Sequence, residues 1–268
     1  MSNDPNWAQL DDGICVPYVE RGDPTGVPVV LLHGFAESWK SFELALPKLP
    51  RTVRAFAASQ RGQGGPPSLA KDYSLGAFAA DVGSFMDAVG LDRAVIVGSS
   101  SGGYIAQRFA ADQPDRTLAL ILVGSPRTLK DMPEIDSFRK QLATLRDPID
   151  PAFVRAFIGS TMARSVPDEF LETMVAESLS IPAVVWRAIF DGLTEASPPS
   201  ESATITAPTL ILRGDRDGFI SRSEAETLAM AIDGSELRTY EGAGHAVLWE
   251  EPARVAGDLV AFVEELGL

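Results

Sequence analysis

Residues 93–110 read RAVIVGSSSGGYIAQRFA: an apolar run rich in Val and Ile, a knot of serines and glycines, then apolar residues at helical spacing. That order predicts a strand, a tight turn and a helix. A flexible Ser/Gly linker would not carry a β-branched run on one side and an amphipathic pattern on the other. Within the turn, Gly98, Ser100 and Gly102 stand at the G-x-S-x-G spacing, while Ser99 and Ser101 fill the two variable positions. Neither of those two serines has glycine at both minus two and plus two. The spacing puts Ser100 at the apex of a strained strand-to-helix turn, with small neighbours because the strand and helix approach too closely for side chains.

Working outward, VPVVLLHG (27–34), TVRAFAAS (52–59), LALILVGS (118–125) and PTLILRGD (208–215) are further short apolar runs ending in Gly, Ser or Asp. Such runs suit strands covered on both faces. Between and after them lie helical patterns: SWKSFELALPKL, LGAFAADVGSFMDAVG, SRSEAETLAMAI with Ser221 and Glu224 spaced as a capping box, and PARVAGDLVAFVEEL. Strand alternating with helix predicts an α/β fold with a mostly parallel central sheet flanked by helices. From 127 to 204 the rhythm changes to PAFVRAFIGSTMA, PDEFLETMVAESLS and PAVVWRAIFDGLTEA, with no apolar strand run among them. Residues 1–126 and 205–268 are therefore expected to form the core domain, and 127–204 a helical cap inserted before the last two strands. Following a strand's carboxyl end, the cap should lie over the site.

The remaining composition narrows the partners. The chain has 268 residues and a formal charge of -14, which disfavours phosphate backbones and anionic lipid surfaces. A small-molecule substrate is expected, with no nucleic acid or membrane partner, and the oligomeric state is not readable. The start, MSNDPNWAQLDDG, has neither a basic segment nor an apolar one, so a cytoplasmic protein is expected. One cysteine and two histidines offer no metal-ligand spacing, and no metal or cofactor is expected.

A serine hydroxyl needs an adjacent base, usually a histidine held by a carboxylate. His245, in YEGAGHAVLWEEP after the last strand-like segment, is the stronger candidate; His33, in LLHGF, reads more readily as a packing or turn residue. The carboxylate is sought between Ser100 and His245, where LILRGDRDGFI supplies Asp215 and Asp217. Asp215 directly follows the strand and can bond backbone in the turn. Asp217 sits further out, where a loop can present it, and is favoured.

HGF, GSSSGG, GDRD and GAGHAVLWEEP, in that order and spacing, resemble the α/β-hydrolase superfamily over nearly the whole chain. The resemblance implies Ser100 as nucleophile, His245 as base, Asp217 as its orienting acid, and the backbone N–H groups of Phe35 and Ser101 as oxyanion hole. Because backbone does that work, the identity of the side chains at 35 and 101 does not test this assignment. One loop departs from the family's D-x-R-G-H-G-x-S pattern: it reads SQRGQGGPP, with Ser59, Gln63 and Pro66 in place of the acid, histidine and serine. Its local hydrogen bonding is left open. Candidate substrate contacts are His33, Phe219 and, in the cap, Met162, Trp186 and Phe190. Phe153, Phe157 and Met174 share the same helical patterns, and most cap aromatics should be core.

By the same resemblance, serine at 100 excludes the aspartate-nucleophile branches, the haloalkane dehalogenases and epoxide hydrolases. HGFAES in place of HGxGPG, and GGYI in place of GGGE, weigh against carbon-carbon bond hydrolases and cofactor-free haloperoxidases. The expectation is hydrolysis of a neutral, moderately hydrophobic carboxylic ester or lactone. A carbon-carbon bond hydrolase, a cofactor-free dioxygenase and a slow-turnover ligand receptor remain as alternatives.

Overall fold

The computed structural model describes residues 4–65, 70–130, 133–199 and 205–268. Among them eight strands form one sheet in the order β1-β2-β4-β3-β5-β6-β7-β8. The strands are β1 (Asn6–Gln9), β2 (Cys15–Arg21), β3 (Val27–Leu32), β4 (Val53–Ala58), β5 (Ala94–Ser99), β6 (Thr117–Val123), β7 (Thr209–Gly214) and β8 (Glu236–Tyr240). From β4 to β8 across the sheet every pairing is parallel, whereas β1 and β2 add an antiparallel edge. The apolar runs are buried because helices cover both faces. Val29, Val30, Ile96, Leu120, Ile121 and Leu210 have no exposed surface.

Helices α1 (Leu75–Ala88) and α2 (Ser101–Asp112) flank the sheet on the N-terminal side of the fold, and Arg222–Ala231 and Pro252–Glu265 complete the layers. The expected cap at Ser221 is present, its hydroxyl accepting from the Glu224 N–H at 3.1 Å. One expectation changes. SWKSFELALPKL forms two short 3-10 turns, Trp39–Phe42 and Leu46–Lys48, instead of a helix. Pro47 lacks an N–H and disfavours helical backbone at the residue before it, so a continuous helix cannot pass through. The edge hairpin of β1 and β2 is not among the predicted strands; β1 is mostly exposed, and β2 buries only Val16 and Pro17 before ending in exposed Glu20 and Arg21.

Between β6 and β7 lie α3 (Pro133–Thr144), α4 (Pro151–Ser160), α5 (Asp168–Ser180) and α6 (Ala183–Thr194). The last three coincide with the predicted helical patterns, and α3 packs on α6 while α4 packs on α5. Asp150 caps α4 by accepting from the Ala152 N–H at 2.8 Å, ahead of Pro151 in the first turn. The predicted end of the insertion at residue 204, and Pro66, fall outside the described residues.

The chain runs outward from β3 to β4 and then returns to place β5 on the other side of β3. A sheet opens a crevice at such a reversal, beyond the carboxyl ends of the diverging strands. The loops after β3 and β5 carry Phe35 and Ser100.

Candidate active site

Ser100 sits between β5 and α2 with φ 52° and ψ -122°, a region that L-residues with side chains rarely adopt. Its N–H donates to Val123 O at 2.8 Å and its carbonyl accepts from the Gly103 N–H at 2.9 Å, which fixes the turn. The glycines are required by proximity. A Cβ on Gly98 would lie 2.4 Å from Gly102 O, and one on Gly102 would lie 2.3 Å from Leu32 O. The turn holds the Ser100 hydroxyl above the sheet.

Two other strand ends complete a relay. His245 Nε2 lies 2.8 Å from Ser100 Oγ, and its Nδ1 lies 2.9 Å from Asp217 Oδ2. A carboxylate only accepts, so Nδ1 carries the ring proton and Nε2 is left to accept from the serine hydroxyl. Asp217 is itself fixed: its Oδ1 accepts from the Phe219 N–H at 2.8 Å and the Ile220 N–H at 2.9 Å. Asp215 faces elsewhere, accepting from the Gly242 N–H at 2.6 Å and so bracing the loop that leads to His245. The choice between the two aspartates is thus a choice between a histidine partner and a backbone partner.

The loop after β3 supplies the second wall. Among the described residues neither the Phe35 N–H nor the Ser101 N–H donates a hydrogen bond, although both residues line the cavity beside Ser100. The neighbouring groups are all tied down. Gly34 N–H donates to Glu37 Oε2 at 3.0 Å, Ala36 N–H to Gln63 Oε1 at 2.8 Å, and Trp39 N–H to Ser59 Oγ at 3.1 Å. Ser59 and Gln63 are two of the three residues that depart from the D-x-R-G-H-G-x-S pattern, and here they act as acceptors for this loop. Ala36 has φ 60°, and its carbonyl accepts from the Ser178 hydroxyl of α5 at 2.7 Å.

His33 lies beneath the loop, fully buried. Its Nδ1–H donates to Gly34 O at 2.8 Å and its Nε2 accepts from the Gln60 N–H at 3.0 Å. Both nitrogens are spent on backbone, and burial lowers the ring from its ordinary 6.5 to about 4. Among the candidate substrate contacts, His33 is therefore a loop support and does not reach the cavity.

A cavity of about 300 Å³ opens over Ser100, with Phe35, Leu129, Phe138, Phe157, Phe190 and Trp249 among its walls. Phe190 and Phe219 line it. Met162 and Trp186 do not: Trp186 is fully buried behind Phe35, at 5.2 Å between ring centroids and 87° between planes, with its indole N–H donating to Ser178 O at 3.2 Å. The Phe35 ring also meets Phe138, Phe157 and Phe190 edge-on. Such pairs contribute about 0.5–1.5 kcal/mol each beyond burial. The Phe35 side chain thus joins the loop to the helical insertion.

The sequence model described as "Alpha/beta hydrolase family" matches residues 29–259, which include every strand from β4 onward and all three relay residues. The chain belongs to the alpha/beta hydrolase family. This alpha/beta hydrolase is 28% identical over 269 residues to monoacylglycerol lipase abhd6-B of Xenopus laevis, covering 93% of this chain and 79% of that protein. It is 26% identical over 284 residues to epoxide hydrolase 4 of Mus musculus, covering 95% and 78%. Its fold matches an esterase, EaEST from Exiguobacterium antarcticum, with TM-score 0.86 and 23% identity over 97% of this chain and 99% of that one. Relatives with different reactions share the fold, so the chemistry of this alpha/beta hydrolase has to be read from its own site.

Two further features of the alpha/beta hydrolase site were not legible from its motifs. The turn after α4 grips the histidine loop: Thr161 O accepts from the Ala246 N–H at 2.9 Å, and Glu250 accepts from the N–H groups of Gly244, Ala163 and Arg164. Glu37 stands in the cavity wall, where burial pushes its carboxyl up against the opposing hydrogen bonds from Ser41 and Gly34 and the nearby His245. An acid in HGFAES directly after a strand end was the available signal. Among the described residues no group of three or more His, Cys, Asp or Glu could hold a metal, and no single helix is long and apolar enough to cross a membrane.

Proposed function

We propose that this chain is a serine hydrolase that cleaves a neutral, moderately hydrophobic carboxylic ester or lactone through an acyl-enzyme on Ser100. The unbroken Ser100–His245–Asp217 hydrogen-bond chain carries the reading. Ser100 Oγ attacks the carbonyl carbon as its proton passes to His245 Nε2, and the imidazolium is held by Asp217. The oxyanion takes the two undonated N–H groups of Phe35 and Ser101. His245 returns the proton to the leaving alkoxide, then draws one from the water that frees the acid. A serine hydroxyl attacking acyl carbon also separates this site from epoxide opening through a carboxylate.

The helices α3–α6, within residues 127–204, act as the cap that closes the cavity. The apolar walls favour apolar acyl or ring groups, at about 0.8 kcal/mol per buried methylene. The arginines that could have drawn an anion are turned elsewhere: Arg155 pairs with Glu172 at 2.6 Å, Arg164 with Glu251, Arg187 donates to Leu145 O at 2.9 Å, and Arg127 faces Glu224 at 3.5 Å.

Fluorophosphonate labelling followed by peptide mapping tests the assignment. The label should fall on Ser100, and Ser100→Ala should lose about 10⁶ in kcat. Label on Ser99 or Ser101 would overturn it. For the substrate, kcat/KM of matched neutral and carboxylate-bearing esters should favour the neutral series. A preference for the anionic series that weakens with salt would sink that part.

A further inference from the structure

Among the described residues on the cavity wall, Glu37 is the one ionisable side chain besides His245; the other polar groups on side chains there are hydroxyls and the Trp249 indole N–H. Its two oxygens are used differently. Oε2 accepts from the Gly34 N–H at 3.0 Å and from the Ser41 hydroxyl at 2.6 Å. Oε1 accepts from no described residue, yet it is not among the sealed, unpartnered polar atoms, so it keeps accessible surface. It also lies against Gly34, where a Cβ would come within 2.6 Å of it. Gly34 directly precedes Phe35, whose N–H faces the carbonyl oxygen in the proposed reaction. One carboxyl oxygen therefore builds the loop, and the other has no partner among the described residues on a side chain that lines the cavity.

An acceptor open to an apolar cavity is costly to desolvate unless a donor arrives with the substrate. We propose that Glu37 Oε1 is a substrate subsite that accepts a hydrogen bond from a hydroxyl group carried close to the scissile carbonyl, making hydroxylated esters or lactones the preferred substrates. The inference rests on the serine-hydrolase reading above. A hydroxyl suits the site in either state of the carboxyl, because acid and carboxylate both keep a lone pair for it. A carboxylate on the substrate would instead meet repulsion whenever Glu37 is ionised. An ammonium would bring a charge into walls where Glu37 alone could offset it.

The test compares kcat/KM within two isosteric pairs: methyl β-hydroxybutanoate, each enantiomer, against methyl isovalerate, and ethylene glycol monobutanoate against propyl butanoate. The pairs place the hydroxyl on the acyl and the alcohol side. With no subsite, the hydroxyl is a net desolvation loss, and the methyl analogue wins in both pairs. With the subsite, the hydroxylated ester of at least one pair wins by about tenfold or more. Glu37→Gln keeps an oxygen for Gly34 and Ser41 and presents its NH2 at the open position, where the substrate hydroxyl would have to accept a neutral hydrogen bond, and should cut that preference about fivefold. Glu37→Leu should reverse it. Because each ratio is taken within one protein, any general damage to the loop cancels. A wild-type preference for the methyl analogue in both pairs overturns the subsite, as does a preference that Glu37→Leu leaves intact. If no ester is turned over and fluorophosphonate leaves Ser100 unlabelled, the hydrolase reading fails first, and the subsite with it.

Discussion

The Ser178 hydroxyl donates a 2.7 Å hydrogen bond to the carbonyl oxygen of Ala36, tying α5 of the insertion to the loop that carries the Phe35 N–H. Ala36 is held at φ 60° with its N–H on Gln63 and its carbonyl on Ser178. A residue so placed stays there only while its surroundings hold it. One partner, Gln63, follows β4, and the other, Ser178, belongs to α5 of the insertion.

Removing the hydroxyl should therefore loosen the Phe35 donor while changing the cavity wall only at position 178 itself. Deleting an oxyanion donor outright costs about 10²–10³ in kcat, and Ser178→Ala should lose a part of that, about tenfold, with KM little changed. Affinity for a trifluoromethyl ketone should fall in parallel, and Ser178→Thr should restore much of it. An unchanged kcat at equal folding would make Ser178 a packing residue only.

Asp217→Asn should lose about 10⁴ in kcat, because the amide leaves His245 in the wrong tautomer for Ser100. Asp215 accepts one backbone N–H from Gly242, a bond that an amide oxygen also makes, so Asp215→Asn should keep most activity and Asp215→Ala should chiefly lower Tm. Losses in the opposite order at equal Tm would move the orienting acid to Asp215.

His33 links stability to pH. The unfolded chain protonates this ring near 6.5, the folded protein only at about 4, because burial opposes the charge. Between those values the unfolded state binds more protons, so stability falls as pH drops through the window and levels off below it. The full loss is about 3 kcal/mol. Denaturant midpoints of wild type and His33→Gln across this range isolate it from titrating carboxylates. Parallel curves would show that His33 is not the group responsible.

Glycines in the same chain should answer alanine with opposite signs. Gly98→Ala and Gly102→Ala force a Cβ into backbone at 2.4 Å and 2.3 Å and should destabilise by about 3 kcal/mol or more. Gly257 lies exposed within the helix Pro252–Glu265 with nothing within 4 Å of an added Cβ, and Gly257→Ala should stabilise by about 0.5–1 kcal/mol. Thermal unfolding of the three variants is sufficient to see the contrast.

What the sequence disclosed follows how local each signal is. The turn at 98–102 is written in adjacent residues, since steric crowding there admits only glycine, and the apolar runs of β3 to β7 mark strands covered on both faces. Asp217 and His245 were reachable because each stands just past a strand-like run. Trp186, Met162 and Phe190 share one kind of pattern, and helical spacing states only that a face is covered. It does not say whether the cover is the cavity or the Phe35 ring. Glu37, Ser178 and Gln63 act through partners brought from distant elements or through an open oxygen, and no spacing rule encodes those meetings. Pro47 interrupts the helical spacing of SWKSFELALPKL, and the apolar periodicity around it does not register that break.

The insertion grips the loop after β3 through Ser178 and the histidine loop through Thr161, with Glu250 reaching back to its Ala163 and Arg164. It is therefore not an interchangeable module. A chimera that borrowed another insertion to reshape the cavity would also have to bring a serine at 178 and a turn presenting the 161 carbonyl and the 163–164 amides. Without them the transplanted walls would bind their ligand over a site whose two working loops had lost their clamps. Recombination within this fold is constrained by those few contacts more than by the shape of the pocket.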